Sequence, residues 1–417
     1  MQRELLIAKR KKARELHTKG WSVNRISRHL VSDWRSVKRW IEMDDIQADH
    51  RGWKKGRLRR YDRQTQERVL KIRQELRKEE SYFFGPDVIR ANYENLYPGE
   101  KPPTMSFITK TIREAGWTRM TSKRDRSGSA SRYMNYPQRA LDKMGQVVEG
   151  VDFMGPRYIE GRSQGVHFLS RKYIRPMKYG MTTRVKSQST DEALSVVIED
   201  WKQHPIPDVL RMDNDAAFGA YRRHPRRIGR FTKVLLNLGI TPLYSALSQP
   251  WNNGATEGYN SVFARKFWKR LRFSDEDEID TEIKQFNLEY AKYNRLVGNN
   301  VAMESVQHRT LPRSFELPDQ YQEALDRSQP LVIYWLREAT QDEEHSKIRA
   351  TIGILGETIE LPKHYINQFT LSRLDVKEAK LSVMVETEEG TLFVIKRTRL
   401  KVENASFFDS VNSGLSY

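Results

Sequence analysis

The chain has 417 residues and a formal net charge of +19, from 73 Lys and Arg against 54 Asp and Glu. Its length exceeds what one hydrophobic core usually organises, so several domains are expected. With no cysteine, disulfides and thiolate zinc sites are excluded, and no run of about 18 apolar residues offers a membrane span.

The charge is unevenly divided. Residues 1–150 hold 35 Lys and Arg against 19 Asp and Glu, whereas residues 151–417 hold 38 against 35. An excess concentrated in the first third favours binding to a polyanion over a merely solvated basic surface. An anionic membrane fits less well, because the basic residues accompany short helical units and not one long amphipathic helix. The N-terminus M-Q-R-E-L-L-I-A-K-R-K-K lacks a signal-peptide core, so a cytoplasmic, nucleoid-associated protein is expected.

Residues 1–50 read as three short helices. Leu6, Ala13 and Leu16 mark the first, which stops before Gly20; Val23, Ile26 and Leu30 mark the second; Ser32 is expected to cap a third that runs through Met43. In the third, Val37, Trp40 and Ile41 turn inward and leave Arg35, Ser36, Lys38 and Arg39 outward, as a helix entering a major groove requires. The short turn at Val31 and Ser32 and the S-V-K-R-W-I ending resemble the helix-turn-helix units of bacterial transposases and repressors. Residues 51–62 form a basic linker whose Arg51, Lys54, Lys55 and Arg57 can track phosphates or enter a minor groove. A second helix-turn-helix domain is expected over residues 63–117, with Val69, Ile72 and Leu76 on its first helix, Pro86 opening the next, and Thr104 or Ser106 capping the last. There Phe107, Ile108 and Ile112 pack and expose Thr109, Lys110 and Arg113. Residues 118–143 are polar, basic and poor in apolar residues, a linker lying along DNA through Lys123, Arg124 and Arg126.

From residue 144 to 300 strands and helices alternate. Strands are expected to end at Asp152, to cover 166–173 and 178–185, and to deliver Asp213 after 208–212. Between them S-x-x-E at Ser189 and Glu192 reads as a capping box. A helix over 231–238 and a strand over 240–244 follow, and then Q-P-W-N-N-G-A-T-E opens a long helix with Glu257 near its start. Three hairpin-linked strands, then helix, strand, helix, strand, helix, is the order of a ribonuclease-H-like fold. On the last helix Tyr259, Phe263 and Phe267 share a face suited to the core, whereas Arg265, Lys266 and Lys269 are placed to meet phosphates. Three carboxylates at the ends of separate elements, in a chain without cysteine, suggest an oxygen-ligand magnesium site for phosphoryl transfer.

V-D-F at 151–153, M-D-N at 212–214 with Phe218, and N-N-G-A-T-E-G-Y-N at 252–260 resemble the three acidic motifs of the retroviral-integrase-type core of DDE transposases, of the bacterial insertion-sequence type. The resemblance is close over residues 145–300 and looser outside them. It implies that Asp152, Asp213 and Glu257 are the catalytic, metal-binding residues for two Mg2+ ions, which Mn2+ can replace, and that Asn260 lies beside them at the DNA. Two features depart from the pattern. Asp215 stands where the family commonly has glycine, and the 44 positions between Asp213 and Glu257 exceed the family's usual separation. The surplus falls in the basic loop 219–230, which is expected to hold target or flanking DNA.

After a connector over 301–329, the runs L-V-I-Y-W-L, A-T-I-G-I-L, A-K-L-S-V-M-V-E-T and T-L-F-V-I-K-R suggest a small β-barrel over 330–405, then a tail over 406–417. The whole is expected to be a multidomain α+β protein: two helix-turn-helix domains, a ribonuclease-H-like core and a C-terminal barrel. What the resemblance implies is a DDE transposase that binds the terminal inverted repeats of a mobile element and joins freed 3′-hydroxyls to target DNA. Double-stranded DNA is its partner, a homo-oligomer on paired ends its working form, and an ATPase helper a possible addition. The alternatives are a non-catalytic repressor descended from a transposase and a nuclease without joining activity.

Overall fold

The computed structural model describes residues 3–47, 61–79, 81–118, 136–176, 178–219, 224–246, 254–297, 309–344 and 347–409. The chain divides into two units, Met1–Asp62 and Arg63–Tyr417.

The first unit is built from α1 (Arg3–Thr18), α2 (Val23–His29) and α3 (Trp34–Glu42). Leu6, Ala13, Leu16, Ile26, Val37 and Trp40 form its core. Asp33, not Ser32, caps α3: its Oδ1 accepts the N–H groups of Arg35 at 3.0 Å and Ser36 at 3.3 Å. The Ser32 hydroxyl is turned back onto the Leu30 carbonyl at 3.0 Å, so the carboxylate one residue later meets the orphan amides.

In the second unit, α4 (Arg63–Lys78), α5 (Pro86–Leu96) and α6 (Met105–Glu114) surround Val69, Ile72, Ile89, Tyr93, Ile108 and Ile112. Thr104 is the cap of α6, accepting from Phe107 N at 3.4 Å. The three helices of the domain expected over 63–117 are packed onto the rest of the unit. The cause is the aromatic run after α4: Tyr82 and Phe83 are buried with Phe263, Phe267 and Phe286, and Tyr82 is tied by its N–H to Glu289 at 2.8 Å and by its hydroxyl to Glu282 at 2.6 Å. Burying two aromatic side chains is worth roughly 2–3 kcal/mol each, more than a mobile hinge would retain. The expected linker over 118–143 also ends in structure. The helix α7 (Gln138–Lys143) buries Ala140 and Leu141, whereas Lys123, Arg124 and Arg126 lie outside the described residues.

A mixed sheet follows. It contains β1 (Val148–Tyr158), β2 (Gly165–Arg175) and β3 (Gly180–Val185) as an antiparallel meander, then α8 (Thr190–Trp201), β4 (Val209–Met212), α9 (Arg230–Asn237), β5 (Thr241–Tyr244), α10 (Gly254–Phe263) and α11 (Glu276–Leu296). The order across the sheet is β3-β2-β1-β4-β5, with β4 parallel to both β1 and β5. Both faces are covered: Leu169, Val151 and Met212 pack with α8 and α9, and Phe168, Met154 and Val166 pack with α10 and α11. Ser189 accepts from Glu192 N at 3.3 Å, but the Glu192 carboxylate bonds Lys186 N at 3.1 Å, so the expected capping box is half closed.

The remaining elements are α12 (Asp319–Glu323), β6 (Ala324–Asp326), β7 (Val332–Glu338), β8 (Thr340–Glu344), β9 (Lys347–Ile354), β10 (Glu357–Leu361), β11 (Phe369–Asp375), β12 (Lys380–Glu386), β13 (Leu392–Arg399) and β14 (Ser406–Phe408). The separate barrel expected over 330–405 is not what they form. β7 pairs parallel to β5 through Leu243 with Tyr334 and Tyr244 with Trp335, and β11, β12 and β13 carry the same sheet to nine strands. β8, β9 and β10 make a three-stranded sheet beside it. The driving force is burial: Ile333, Trp335, Ile352, Leu374 and Val383 join one core with Tyr244 and Phe231. In the expected tail, β14 pairs with β6. Among the described residues, no helix is long and apolar enough to cross a membrane.

Candidate active site

Strand register sets the first two carboxylates. On the parallel pair β1 and β4, Val148 lies opposite Val209, Glu149 opposite Leu210 and Gly150 opposite Arg211. Asp152 lies on β1 two residues beyond this pairing, and Asp213 is near enough for its charge to act on Asp152. Residues at one level of a parallel pair share a face, and Val151 and Met212, both fully buried, take the opposite one. Asp213 follows the last residue of β4, where the chain leaves the sheet.

Glu257 lies in the first turn of α10, where the helix dipole favours a carboxylate. Behind it Tyr259, Phe263 and Phe267 are buried, and the Tyr259 hydroxyl bonds Thr182 Oγ1 on β3 at 2.9 Å. Asn260, one turn on, donates from Nδ2 to Asp152 Oδ2 at 2.7 Å. That bond ties the glutamate helix to the first acidic strand. One N–H of the amide expected at DNA is thus used on Asp152.

Burial raises all three carboxylates. Burial pushes Asp152 up to about 7, the charge of Asp213 adds to this, and Glu257 and Asp215 add less, against the Asn260 bond. Asp213 is raised chiefly by burial, against the Asp215 N–H bond, with the Asp215 charge adding a little, and Glu257 is raised by burial. Asp215 is committed locally: its Oδ1 accepts from Ala217 N at 2.8 Å to cap a single 3-10 turn, while its own N–H donates to Asp213 Oδ1 at 3.0 Å. Among the described residues, no set of three or more His, Asp or Glu side chains is gathered tightly enough to hold a metal ion. The donor chemistry suits a hard divalent cation, because the groups are carboxylates whose charge burial disfavours.

Other acids that could be mistaken for site residues have structural work. Glu149 and Asp200 both pair with the buried Arg171, and Asp208 accepts the N–H groups of Gln146 and Val147 at 2.7 and 2.9 Å.

The basic residues expected at DNA are scattered. Arg35, Lys38 and Arg39 are exposed on α3 and Ser36 is half-buried there; Thr109, Lys110 and Arg113 are exposed on α6. Arg265 and Lys269 are exposed beyond α10, where the helix widens into a π turn. Lys266 differs: its ammonium stands 4.5 Å above the Phe84 ring and is half-buried. Arg51, Lys54, Lys55 and Arg57 lie outside the described residues. In the basic loop 219–230, Arg226 pairs with Glu357 at 2.8 Å and Arg230 with Asp191 at 2.6 Å, all at the surface.

One site-adjacent residue had no signal in the sequence. Arg337, in a strand expected to belong to a distant barrel, reaches Asn214 beside Asp213 at 2.7 Å.

No protein-family model matches the chain, and no curated protein matches it. Among solved structures it is similar to a chain of the simian T-cell lymphotropic virus intasome in complex with the PP2A regulatory subunit B56 gamma, at 12% identity and a TM-score of 0.30, over 78% of this chain and 98% of that one. It is also similar to the Mos1 transposase paired-end complex with the left transposon end, at 10% identity and 0.27, over 75% and 95%. The Mos1 strand transfer complex gives 11% identity and 0.26, over 70% and 93%.

Proposed function

We propose that the chain is a DDE-type DNA transposase, of the bacterial insertion-sequence type, with a ribonuclease-H-like core. The observation that carries this is that Asp152 lies close enough to Asp213 to feel its charge, on β1 paired parallel to β4, while Asn260 binds the Glu257 helix to Asp152. Paired Mg2+, with Mn2+ as a substitute, would be held by Asp152, Asp213 and Glu257 and would supply Lewis-acid activation of the attacking and leaving oxygens at phosphorus. The protein's own part is positional. Asn260 orients Asp152, the parallel pairing of β1 with β4 brings the aspartates together, and the buried face of α10 supports Glu257.

The exposed Arg35, Lys38 and Arg39 on α3, together with Thr109, Lys110 and Arg113 on α6, support recognition of a mobile element's terminal repeats by two helical readers. Assembly on paired ends, with or without an ATPase helper, belongs to the same proposal. Incubating the purified full chain with labelled element ends, a target plasmid and Mg2+ tests it. Joined product is the expected result. Nicked ends without joining would make it a nuclease, and binding without either would make it a repressor.

A further inference from the structure

Resting on the transposase reading, we infer that Arg337 is a positioning residue for the catalytic loop, so that the C-terminal strands are a working part of the active site. Arg337 lies on β7 and is 6% exposed. Its Nη2 donates to Asn214 Oδ1 at 2.7 Å and its Nη1 to the Ser245 carbonyl at 2.8 Å. Asn214 Nδ2 donates to that same Ser245 carbonyl at 2.7 Å, which closes a small ring of bonds around the residue between Asp213 and Asp215. Ser245 in turn returns both its N–H and its hydroxyl to Met212 O, at 2.9 and 3.2 Å. The ring therefore grips the end of β4 from two sides. The guanidinium is anchored from behind by Nε to the Gly353 carbonyl at 2.9 Å on β9, and its backbone carbonyl accepts from the buried Thr370 on β11 at 3.2 Å.

Among the described residues its side-chain partners are carbonyl and amide oxygens, and no carboxylate pairs with it. A guanidinium buried without a counter-ion is costly. What it offers is a rigid planar fork, which lysine cannot reproduce, fixing the carbonyls of Ser245 and Gly353 and the Asn214 side-chain amide at once. A packing role could be filled by an apolar residue. Holding Asn214 in one orientation cannot.

The test uses the full chain with labelled ends, target plasmid and a Mg2+ titration, on Asn214→Ala, Arg337→Met, Arg337→Lys and the Asn214→Ala/Arg337→Met double variant. Groups that orient metal-binding residues typically matter by about 10–100-fold. Each single variant is expected to slow strand transfer by about that factor with end binding unchanged, Arg337→Lys included, and the double variant to be within about twofold of the slower single. Hydrogen exchange at Asp213–Asp215 is the second readout, expected to quicken in Asn214→Ala about tenfold with the β2–β3 hairpin unaffected. If Arg337→Met does not fold, Asn214→Ala and Arg337→Lys carry the test. Losses that multiply in the double variant, or rates within twofold of wild type with unchanged exchange, overturn the inference. A wild-type chain that joins no DNA overturns the transposase reading instead, and the exchange result then decides the clamp by itself.

Discussion

Replacing Lys172 with methionine should change stability in a way that depends on pH. Lys172 lies on β2, 6% exposed, its ammonium donating to the Lys178 carbonyl at 2.5 Å and the Tyr290 hydroxyl at 2.9 Å. It stands 5.9 Å from the Tyr259 ring, on the helix that carries Glu257. Burial lowers it from an ordinary 10.5 to about 7, with Lys178 adding a little. Because the folded value lies below the unfolded one, the unfolded chain binds more protons between those limits, and stability rises with pH there. The cost of the buried charge is complete below about pH 7 and fades as pH climbs towards 10.5. Between pH 7 and 9 the wild type should gain about 2 kcal/mol relative to Lys172→Met. The two lost hydrogen bonds contribute an offset that does not vary with pH. Urea unfolding of both proteins by tryptophan fluorescence at pH 7, 8 and 9 measures this. A difference constant across that range would refute the idea that burial neutralises Lys172.

Two further outcomes are expected. Arg171→Met leaves Glu149 and Asp200 buried without their shared cation and should cost about 3–5 kcal/mol, whereas Glu149→Gln, which relieves the crowding of two carboxylates, should cost much less; the reverse order in thermal unfolding would contradict the assignment. Asp215→Asn keeps the cap on Ala217, since asparagine caps as well as aspartate, and should lower joining by less than about tenfold, while abolition of joining would move the ligand role from Asp213 to Asp215.

The sequence displayed the local features of the core well. The strand through Asp152, the Glu257 helix and its buried Tyr259, Phe263 and Phe267 follow from alternation and 3.6-residue spacing, both short-range signals, although β1 runs on to Tyr158 and does not end at Asp152 as expected. It could not display what depends on contacts between distant segments. Whether V-I-Y-W-L closes on its own barrel or docks beside β5 depends on Tyr244 meeting Trp335, residues 91 positions apart. Likewise, Tyr82 and Phe83 meet Phe286 only across a long sequence separation. Arg337 was invisible for the same reason: an arginine in an alternating strand reads as solvent-facing. Asn260 could be paired with the site by motif, but its bond to Asp152 spans 108 positions.

The most direct test is strand transfer by Asp152→Asn, Asp213→Asn and Glu257→Gln, each assayed with labelled ends, target plasmid and Mg2+, beside a gel-shift measurement of end binding. All three should lose joining by at least about 1000-fold, or about 4 kcal/mol, and bind ends as the wild type does. Magnesium-dependent joining retained by any one of them would remove that carboxylate from the site and contradict the proposed chemistry.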